Sequence, residues 1–201
     1  MPKQSLISIL RTPFGQHGAL HVENGKLTDA DGDTVQLYGM STHGIAWFPQ
    51  YINYDSFRTL RDDWNTNCIR LAMYTAEYGG YCAGGDKEQL KQLVRDGVSY
   101  ATELGMYVIV DWHILSDSNP NLYKETALSF FERIASTYGD KPNILYEICN
   151  EPNGDTSWDE IKSYSVDVID RIRMYAPQSI VIVGTPTWSQ DVDIASSSPI
   201  E

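Results

Sequence analysis

The sequence contains few cysteines, few basic residues and no long apolar run. Its three cysteines (Cys68, Cys82 and Cys149) are odd in number and lie at no metal-like spacing, which argues against a disulfide framework or a zinc-binding cysteine pattern. The 15 Lys and Arg residues are outnumbered by 27 Asp and Glu residues, which gives a net charge of −12. Nucleic acids and anionic membranes bind basic surfaces, so neither is an expected partner. No segment approaches the ~18 apolar residues of a membrane span.

The N-terminus lacks the apolar core of a signal peptide. Its apolar stretch, residues 6–10, is bounded by Lys3 and Arg11 and is too short for that role. We therefore interpret residues 1–17 as an N-terminal tail and residues 18–201 as the folded part. With 42% apolar residues and 11% aromatics, the chain can bury a sizeable core as one domain or as a large piece of one.

A β-hairpin is predicted before the main fold, and a strand–loop–helix unit then recurs five times. Asn24-Gly25 between two short alternating segments is a strong hairpin signal. Beyond it, short apolar segments alternate with segments of helical periodicity. The strand starts lie roughly 30–40 residues apart, which is the length of one βα unit. The predicted strands are residues 35–41, 67–73, 106–111, 144–149 and 180–184.

Four amphipathic helices are predicted between these strands. Each shows apolar residues at helical spacing. Two begin with a capping box, formed by Asp86 with Gln89 and by Ser157 with Glu160. Apolar strands that alternate with helices are typical of a parallel sheet covered by helices. The predicted helices are residues 54–65, 87–104, 119–139 and 157–176.

Polar and aromatic residues follow every predicted strand. No Gly-rich phosphate loop follows the first strand, which disfavours a dinucleotide-binding fold. Side chains contributed by successive strand ends are typical of a (β/α)8 barrel, which needs roughly 250 residues. We therefore predict an α/β fold, a (β/α)8 TIM barrel that is incomplete here, with about five βα units. The residues that follow the strands are His43, Trp47, Arg70, Tyr74, Trp112, His113, Asn150, Glu151 and Trp188.

Residues 143–154, NILYEICNEPNG, present a carboxylate and an amide at the end of a buried strand. Pro152 cannot donate to a sheet ladder, so the strand ends where Asn150 and Glu151 lie side by side. A carboxylic acid among tryptophans and tyrosines suits sugar chemistry, because sugar rings stack on aromatic side chains and sugar hydroxyls bind polar ones. Glycoside hydrolysis needs two carboxyl groups that flank the scissile bond. Glu151 is the candidate for the proton donor.

The nearest other carboxylates are interpreted as structural. Glu147 lies four residues before Glu151, which is roughly 13 Å along a strand and too far for the partner carboxylate. We expect Glu147 to pair with Arg70, and Asp111 is interpreted as structural in the same way. The partner carboxylate is therefore expected elsewhere.

Six segments make the sequence recognisable. Residues 18–193 resemble glycoside hydrolase family 5, specifically the bacterial endoglucanases (cellulases) among its retaining barrel enzymes. The segments occur in order and at barrel spacing, which makes the resemblance specific. They are GMSTHG (39–44), LRDDW (60–64), IRLAMY (69–74), VDWHILSD (110–117), YEICNEPNG (146–154) and VGTPTWSQD (183–191).

The resemblance implies an endo-β-1,4-glucanase that hydrolyses cellulose and related β-glucans with retention and without a cofactor. Glu151 would be the general acid/base, and Asn150 would bind the sugar 2-hydroxyl. Arg70 would support the nucleophilic carboxylate, while His113 and His43 would hydrogen-bond the sugar. The residues that line the cleft would be Trp47, Tyr74 and Trp188.

Two features of the family have no counterpart in this sequence. The family's nucleophile is a Glu at the end of the seventh strand, and its sixth strand contributes a His-x-Tyr pair. Residues 18–201 are therefore expected to form a partial catalytic barrel without strands six to eight, and the activity of this chain alone stays open at this point. The family implies an extracellular enzyme, and a complete barrel is expected to be a monomer.

The residues leave other interpretations open. A mannanase or xylanase uses the same barrel, and a non-catalytic β-glucan-binding protein uses aromatic residues as a stacking platform. Trp47 and Trp188 could equally be core residues. His43 and His113 could equally be polar residues at the barrel mouth whose hydrogen bonds are satisfied within the protein. A metal-dependent hydrolase is disfavoured because the histidines are single and widely separated, so no metal site is predicted. Two further tryptophans at helical spacing are interpreted as structural: Trp64 and Trp158.

Overall fold

The fold is built on a five-stranded parallel sheet. The computed structural model describes residues 11–200. The five strands lie side by side in the order in which they occur along the chain, and each neighbouring pair is parallel. The predicted succession of βα units is thereby confirmed. After the hairpin strands β1 (His21–Glu23) and β2 (Lys26–Thr28), the sheet consists of β3 (Gly39–Gly44), β4 (Cys68–Tyr74), β5 (Tyr107–His113), β6 (Ile144–Cys149) and β7 (Val181–Val183).

The central strands carry different residues on their two faces, because successive side chains of a strand point in opposite directions. One face is apolar and packs against the helices. The other face is apolar only near the strand starts, where Cys68, Tyr107 and Leu145 belong to a second buried cluster. Beyond that level this face becomes polar. The helix-facing residues of β4 to β6 include Ile69, Leu71, Met73, Val108, Val110, Trp112, Ile144, Tyr146 and Ile148.

The four predicted helices are confirmed to within a few residues. The third differs most, because a 3-10 turn, Pro120–Tyr123, precedes its α-helical part. Asp86 caps the second by accepting hydrogen bonds from the N–H groups of Glu88 and Gln89. The helices are α1 (Pro13–His17), α2 (Tyr54–Trp64), α3 (Lys87–Glu103), α4 (Lys124–Tyr138), α5 (Trp158–Arg173) and α6 (Val192–Ser197).

The capping box predicted at the start of α5 is present. The hydroxyl of Ser157 accepts from the Glu160 N–H, and the Glu160 carboxylate accepts from the Ser157 N–H at 2.9 Å. We expect Ser157→Ala to lower the free energy of unfolding by about 1 kcal/mol, because one orphan N–H of the helix loses its acceptor. The matched control is Ser163→Ala at an exposed position within the same helix. Urea denaturation followed by circular dichroism measures both variants, and equal losses would contradict the assignment to the cap.

The first sheet strand begins later than predicted. Residues 35–38 of the predicted strand 35–41 are outside β3, which starts at Gly39. The reason is Asn67, whose side chain donates to the Gln36 carbonyl at 2.8 Å and accepts from the Tyr38 N–H at 2.9 Å. These backbone groups are thus satisfied by a side chain instead of a neighbouring strand. At Gly39 the strands approach so closely that a Cβ atom would lie 1.8 Å from the Cys68 carbonyl oxygen.

The predicted hairpin is confirmed and belongs to the end of the sheet where the strands begin. Its strands pair around Asn24-Gly25, and both turn residues have positive φ angles, as a type I′ turn requires. Leu20, which directly precedes the hairpin, and Leu27, which lies in its second strand, pack in the second buried cluster with Tyr107. Helix α1, which falls within the predicted tail 1–17, is packed there as well through the ring of Phe14. The first ten residues of that tail lie outside the described residues.

The two tryptophans that were interpreted as structural differ in their surroundings. Trp158 is buried, and its indole N–H donates to the Ser198 carbonyl at 2.8 Å. Trp64 is 75% exposed, so the interpretation is wrong for this residue. It occupies the last position of α2, and residues 62–65 at this end of the helix are all exposed, so the helix end lies outside the core.

The composition also led to expectations about membrane-spanning segments and about the cysteines. No helix between residues 11 and 200 is long and apolar enough to cross a membrane. The three cysteines are free thiols, and Cys68 and Cys149 are buried. Burial raises the pKa of both thiols to about 12, so they are packed as small apolar groups.

Candidate functional site

The candidate site lies where the parallel strands end, on the face opposite the helices. In β5, Asp111 and His113 alternate with the helix-facing Trp112 and therefore point away from the helices. Arg70 and Glu147 share that face of β4 and β6 and are joined to each other. Alternate residues of a strand lie on one face of the sheet. Three adjacent strands therefore bring ionisable side chains together that are far apart in the sequence.

Arg70 is the centre of this polar group. Its guanidinium donates two hydrogen bonds to Glu147, at 2.6 and 2.8 Å, and confirms the predicted pair. It also lies 2.9 Å from the Asp111 carboxylate and donates to the side-chain oxygen of Asn150 at 2.6 Å. Burial opposes the charge of Arg70, but the bond to Glu147 and the charges of both carboxylates raise its pKa. Arg70 therefore stays cationic between two anions.

The carboxylate of Asp111 is fully buried and joins Arg70 to His113. Its Oδ2 atom lies 2.7 Å from Nδ1 of His113, and its Oδ1 atom has no hydrogen-bond partner among the described residues. Burial raises the pKa of Asp111 to about 6, and the nearby charge of Glu147 acts in the same direction. The bond to His113 and the charge of Arg70 oppose this rise.

The amide of Asn150 is held at both ends. Its oxygen accepts from Arg70, while its nitrogen donates to the Ile114 carbonyl at 3.1 Å and lies 3.3 Å from Nε2 of His113. The orientation of the amide is therefore defined by its partners. Sequence reasoning brought Asn150, Arg70 and His113 together as site residues, and the structure places Asn150 in contact with each of the other two.

Glu151 follows Asn150 at the rim and is partly exposed. Its N–H donates to the Ile114 carbonyl at 3.2 Å, and its carbonyl accepts from the side chain of Asn153 at 2.9 Å. Asn153 is buried and makes two further bonds, to the Leu115 carbonyl at 2.6 Å and from the Ser118 hydroxyl at 2.9 Å. The backbone of Glu151 is thus fixed on both sides, and the residue as a whole is partly open to solvent.

His43, Trp47 and Tyr74 form an aromatic group beside His113. The Tyr74 ring stacks on the His113 ring with centroids 4.4 Å apart, and its hydroxyl lies 3.0 Å from Nδ1 of His43. Trp47 packs edge-on against Tyr74 and is 42% exposed. Tyr74 itself is buried, so it supports the two histidines and offers little stacking surface. Trp47 is held by its indole N–H, which donates to the Tyr78 carbonyl at 2.6 Å.

Trp188 is presented by an unusual turn after β7. Thr187, Trp188 and Ser189 all have φ angles near +55° to +62°, the left-handed region that non-glycine residues rarely adopt. The Trp188 N–H donates to the Pro152 carbonyl at 3.0 Å, and the Ser189 hydroxyl donates to the Asn150 carbonyl at 2.7 Å. These bonds attach the turn to the segment that carries Glu151. Trp188 is half-exposed, which removes it from the core.

Trp112 is the one residue in the strand-end set that the structure removes from the site. It is fully buried on the helix side of β5, where its ring packs against Phe130, Phe131 and Tyr81. Its neighbours Asp111 and His113 mark the opposite face, and the strand alternation in the sequence is the signal that identifies Trp112 as core. Ser189 and Asn153 were missed as supporting residues, because their contacts depend on loop conformation.

The assembled group can support acid–base chemistry on an uncharged ligand. It offers a partly exposed carboxylic acid at Glu151, an oriented amide at Asn150 and an imidazole at His113, flanked by exposed tryptophans after the first and last sheet strands. No group of three His, Cys, Asp or Glu side chains suited to a metal ion occurs within residues 11–200. The catalytic and binding roles of the individual residues stay predictions.

Comparisons with known proteins agree with this geometry. A family model described as Cellulase (glycosyl hydrolase family 5) matches residues 28–201. An endoglucanase of Clostridium saccharobutylicum is 52% identical over 192 residues, which are 94% of this chain and 41% of that protein. Endoglucanase A of Butyrivibrio fibrisolvens is 45% identical over 202 aligned positions, which cover 100% of this chain and 46% of that protein.

A similar solved structure is the catalytic domain of an endoglucanase from Thermobifida fusca in complex with cellotetraose. It superimposes with a TM-score of 0.84 at 40% sequence identity and covers 94% of this chain and 63% of that one. The chain thus spans less than half the length of the two curated relatives.

Proposed function

Because the chain belongs to the cellulases of glycosyl hydrolase family 5, we propose that the protein hydrolyses internal β-1,4-glucosidic bonds in cellulose and related β-glucans. The (β/α)8 barrel of the family accounts for the parallel sheet, whose five strands are consecutive members of such a barrel. The observation that carries the proposal is the presentation of Glu151. Its backbone is fixed by Ile114 and Asn153, and its carboxylate lies close enough to Arg70 and Tyr74 to raise the pKa of both side chains.

Glu151 is the proposed general acid. In this role it protonates the leaving glycosidic oxygen and then removes a proton from the attacking water. The Asn150 amide, oriented by Arg70, is proposed to bind the hydroxyl beside the reacting carbon. His43 and His113 are proposed to hydrogen-bond the sugar, and Trp47 and Trp188 to stack on sugar rings.

The second carboxylate of a retaining mechanism is proposed to come from outside this set. Asp111 is fully buried, and Glu147 lies four residues before Glu151, roughly 13 Å along a strand, so neither is placed to act as the nucleophile. Retention needs a carboxylate about 5 Å from the acid. We propose that the family's Glu supplies it, outside the 201 residues, and that the complete enzyme acts as a monomer.

An extracellular location is part of the proposal. Cellulose is an insoluble polymer and does not enter cells, so an enzyme that cleaves its internal bonds has to meet it outside. The cellotetraose bound by the Thermobifida fusca endoglucanase suggests that oligosaccharide as a soluble probe for this protein.

The test is a comparison of substrates with the full product of the gene that encodes this chain. Reducing ends released from carboxymethylcellulose, mannan and xylan are measured in parallel, and cellotetraose binding is measured by calorimetry. We expect release from carboxymethylcellulose to exceed release from the other two. Preference for mannan or xylan would overturn the substrate assignment. Saturable cellotetraose binding without release of reducing ends would favour a non-catalytic β-glucan-binding protein.

A further inference from the structure

We infer that Asp111 is a positioning residue that sets the hydrogen-bond direction of the site. Its carboxylate holds the proton of His113 on Nδ1, and the unprotonated Nε2 in turn orients the amide of Asn150 beside Glu151. The catalytic consequence of this inference rests on the proposed function, whereas the position of the proton on the His113 imidazole does not.

Four side chains form a closed ring of contacts. Arg70 contacts the Asp111 carboxylate at 2.9 Å and the Asn150 oxygen at 2.6 Å. Asp111 contacts Nδ1 of His113 at 2.7 Å, and Nε2 of His113 lies 3.3 Å from the Asn150 nitrogen. Each member therefore touches two others, and no member can reverse its donor and acceptor atoms alone.

The hydrogen bonds around these four side chains can run from donor to acceptor in only one direction. Arg70 can only donate, and an ionised Asp111 can only accept, whereas imidazole and amide groups each do both. Asp111 therefore requires a proton on Nδ1 of His113, and Arg70 requires the oxygen of Asn150. The remaining contact then pairs the Asn150 N–H with the lone pair on Nε2. With the proton on Nε2, two donors would face each other across that contact.

Burial shields the contact between Asp111 and His113 from water. Asp111 is fully inaccessible, while His113 is only 13% exposed, so water does not compete for the bond between them. The charged groups that face Asp111 are Arg70, Glu147 and His113. Because burial raises the pKa of Asp111 to about 6, the carboxylate is ionised above that pH and sets the direction there. Below it, the protonated carboxyl group becomes a donor as well and the requirement is lost.

The first test is nuclear magnetic resonance of the imidazole nitrogens at pH 7.5 in the full gene product. Spectra of the wild type and of His113→Gln identify the His113 signals among those of the other histidines. We expect the proton of His113 on Nδ1. In Asp111→Ala we expect a shift towards the Nε2-protonated form that free histidine prefers. Asp111→Asn should keep Nδ1–H, because Arg70 forces the new carbonyl oxygen into the position of Oδ2.

The matched control is Val110→Ala, which removes buried volume from the adjacent, helix-facing position of β5. It should destabilise the protein without moving the His113 proton. The wild-type spectrum alone overturns the inference if Nε2 carries the proton, so the test does not depend on the folding of Asp111→Ala. A proton that stays on Nδ1 of His113 in a folded Asp111→Ala variant would overturn the inference as well.

The second test uses hydrolysis of carboxymethylcellulose by the full gene product. We expect Asp111→Ala to lower kcat by about tenfold or more, since a hydrogen bond to a charged group is worth about 1.5–3 kcal/mol. Asp111→Asn should recover most of this loss. Equal defects in Asp111→Ala and Val110→Ala would show a general structural effect and overturn the positioning role. Absence of hydrolysis in the wild type would count against the proposed function. The spectra would still decide which nitrogen of His113 carries the proton, and so the direction of the hydrogen bonds.

Discussion

Glu151→Gln is expected to lower kcat on β-glucans by about 10²–10⁴-fold, the usual contribution of a positioned general acid. Glutamine keeps the size of the side chain but has no acidic proton to give to the leaving oxygen. The backbone bonds of residue 151 to Ile114 and Asn153 do not involve the side chain and should persist. The measurement is reducing-end release by the full gene product, together with the dissociation constant for cellotetraose, which should change little.

The control for this prediction is Glu88→Gln. Glu88 lies in the first turn of α3 and is exposed, and its carboxylate accepts a hydrogen bond from Lys91 at 2.8 Å. The substitution makes the same chemical change away from the site and should leave kcat unaltered. Wild-type kcat in Glu151→Gln would exclude Glu151 as the proton donor. A parallel loss of cellotetraose binding would instead assign it a role in binding.

Trp112→Ala is expected to lower the free energy of unfolding by about 3–5 kcal/mol, the range for a large buried aromatic side chain. The indole is fully inaccessible and packs against Phe130 with ring centroids 5.2 Å apart. Its removal leaves a cavity between β5 and helix α4 that the surrounding rings cannot fill. Urea denaturation followed by circular dichroism measures the loss.

Trp64→Ala is the matched control, since it makes the same substitution at a residue that is 75% exposed. Its free energy of unfolding should stay within about 0.5 kcal/mol of the wild type. Similar losses in the two variants would contradict the assignment of Trp112 to the core and of Trp64 to the surface.

Much of the fold follows from local patterns in the sequence. The apolar strands and the helical stripes are set by periodicity, and the hairpin at Asn24-Gly25 and the cap at Ser157 are set by a few adjacent residues. The start of β3 could not be placed in the same way. It depends on the side chain of Asn67, which lies 31 residues after the Gln36 carbonyl that it binds.

The site was predictable as a set of residues but not as a network. Strand ends pointed to Arg70, His113 and Asn150, because parallel strands bring their carboxyl ends to one edge. The contacts among these three join residues 80 and 37 positions apart and depend on strand register. The alternation in β5 is visible in the sequence, however, and separates Trp112 from its two neighbours. A reading of that alternation places Asp111 in the site with His113.

The conformation of the turn at Thr187–Ser189 has no signal in its residue types. Left-handed φ angles are favoured by glycine and asparagine, and this turn contains neither. The turn is held by bonds to Pro152 and Asn150, which are made only when β6 and β7 are already adjacent. Tertiary contacts therefore override local preference here, as they often do near functional sites.

The complete hydrogen bonding of Asn153 also bears on how the protein ages chemically. Deamidation of an Asn-Gly sequence begins when the glycine nitrogen attacks the carbon of the asparagine side chain, and that side chain has to be free to turn. Asn153 precedes Gly154, but its carboxamide is buried and engaged at both ends. Asn24 precedes Gly25 in an exposed hairpin turn. Slow damage to this dipeptide is thereby directed to the hairpin and away from the segment that carries Glu151.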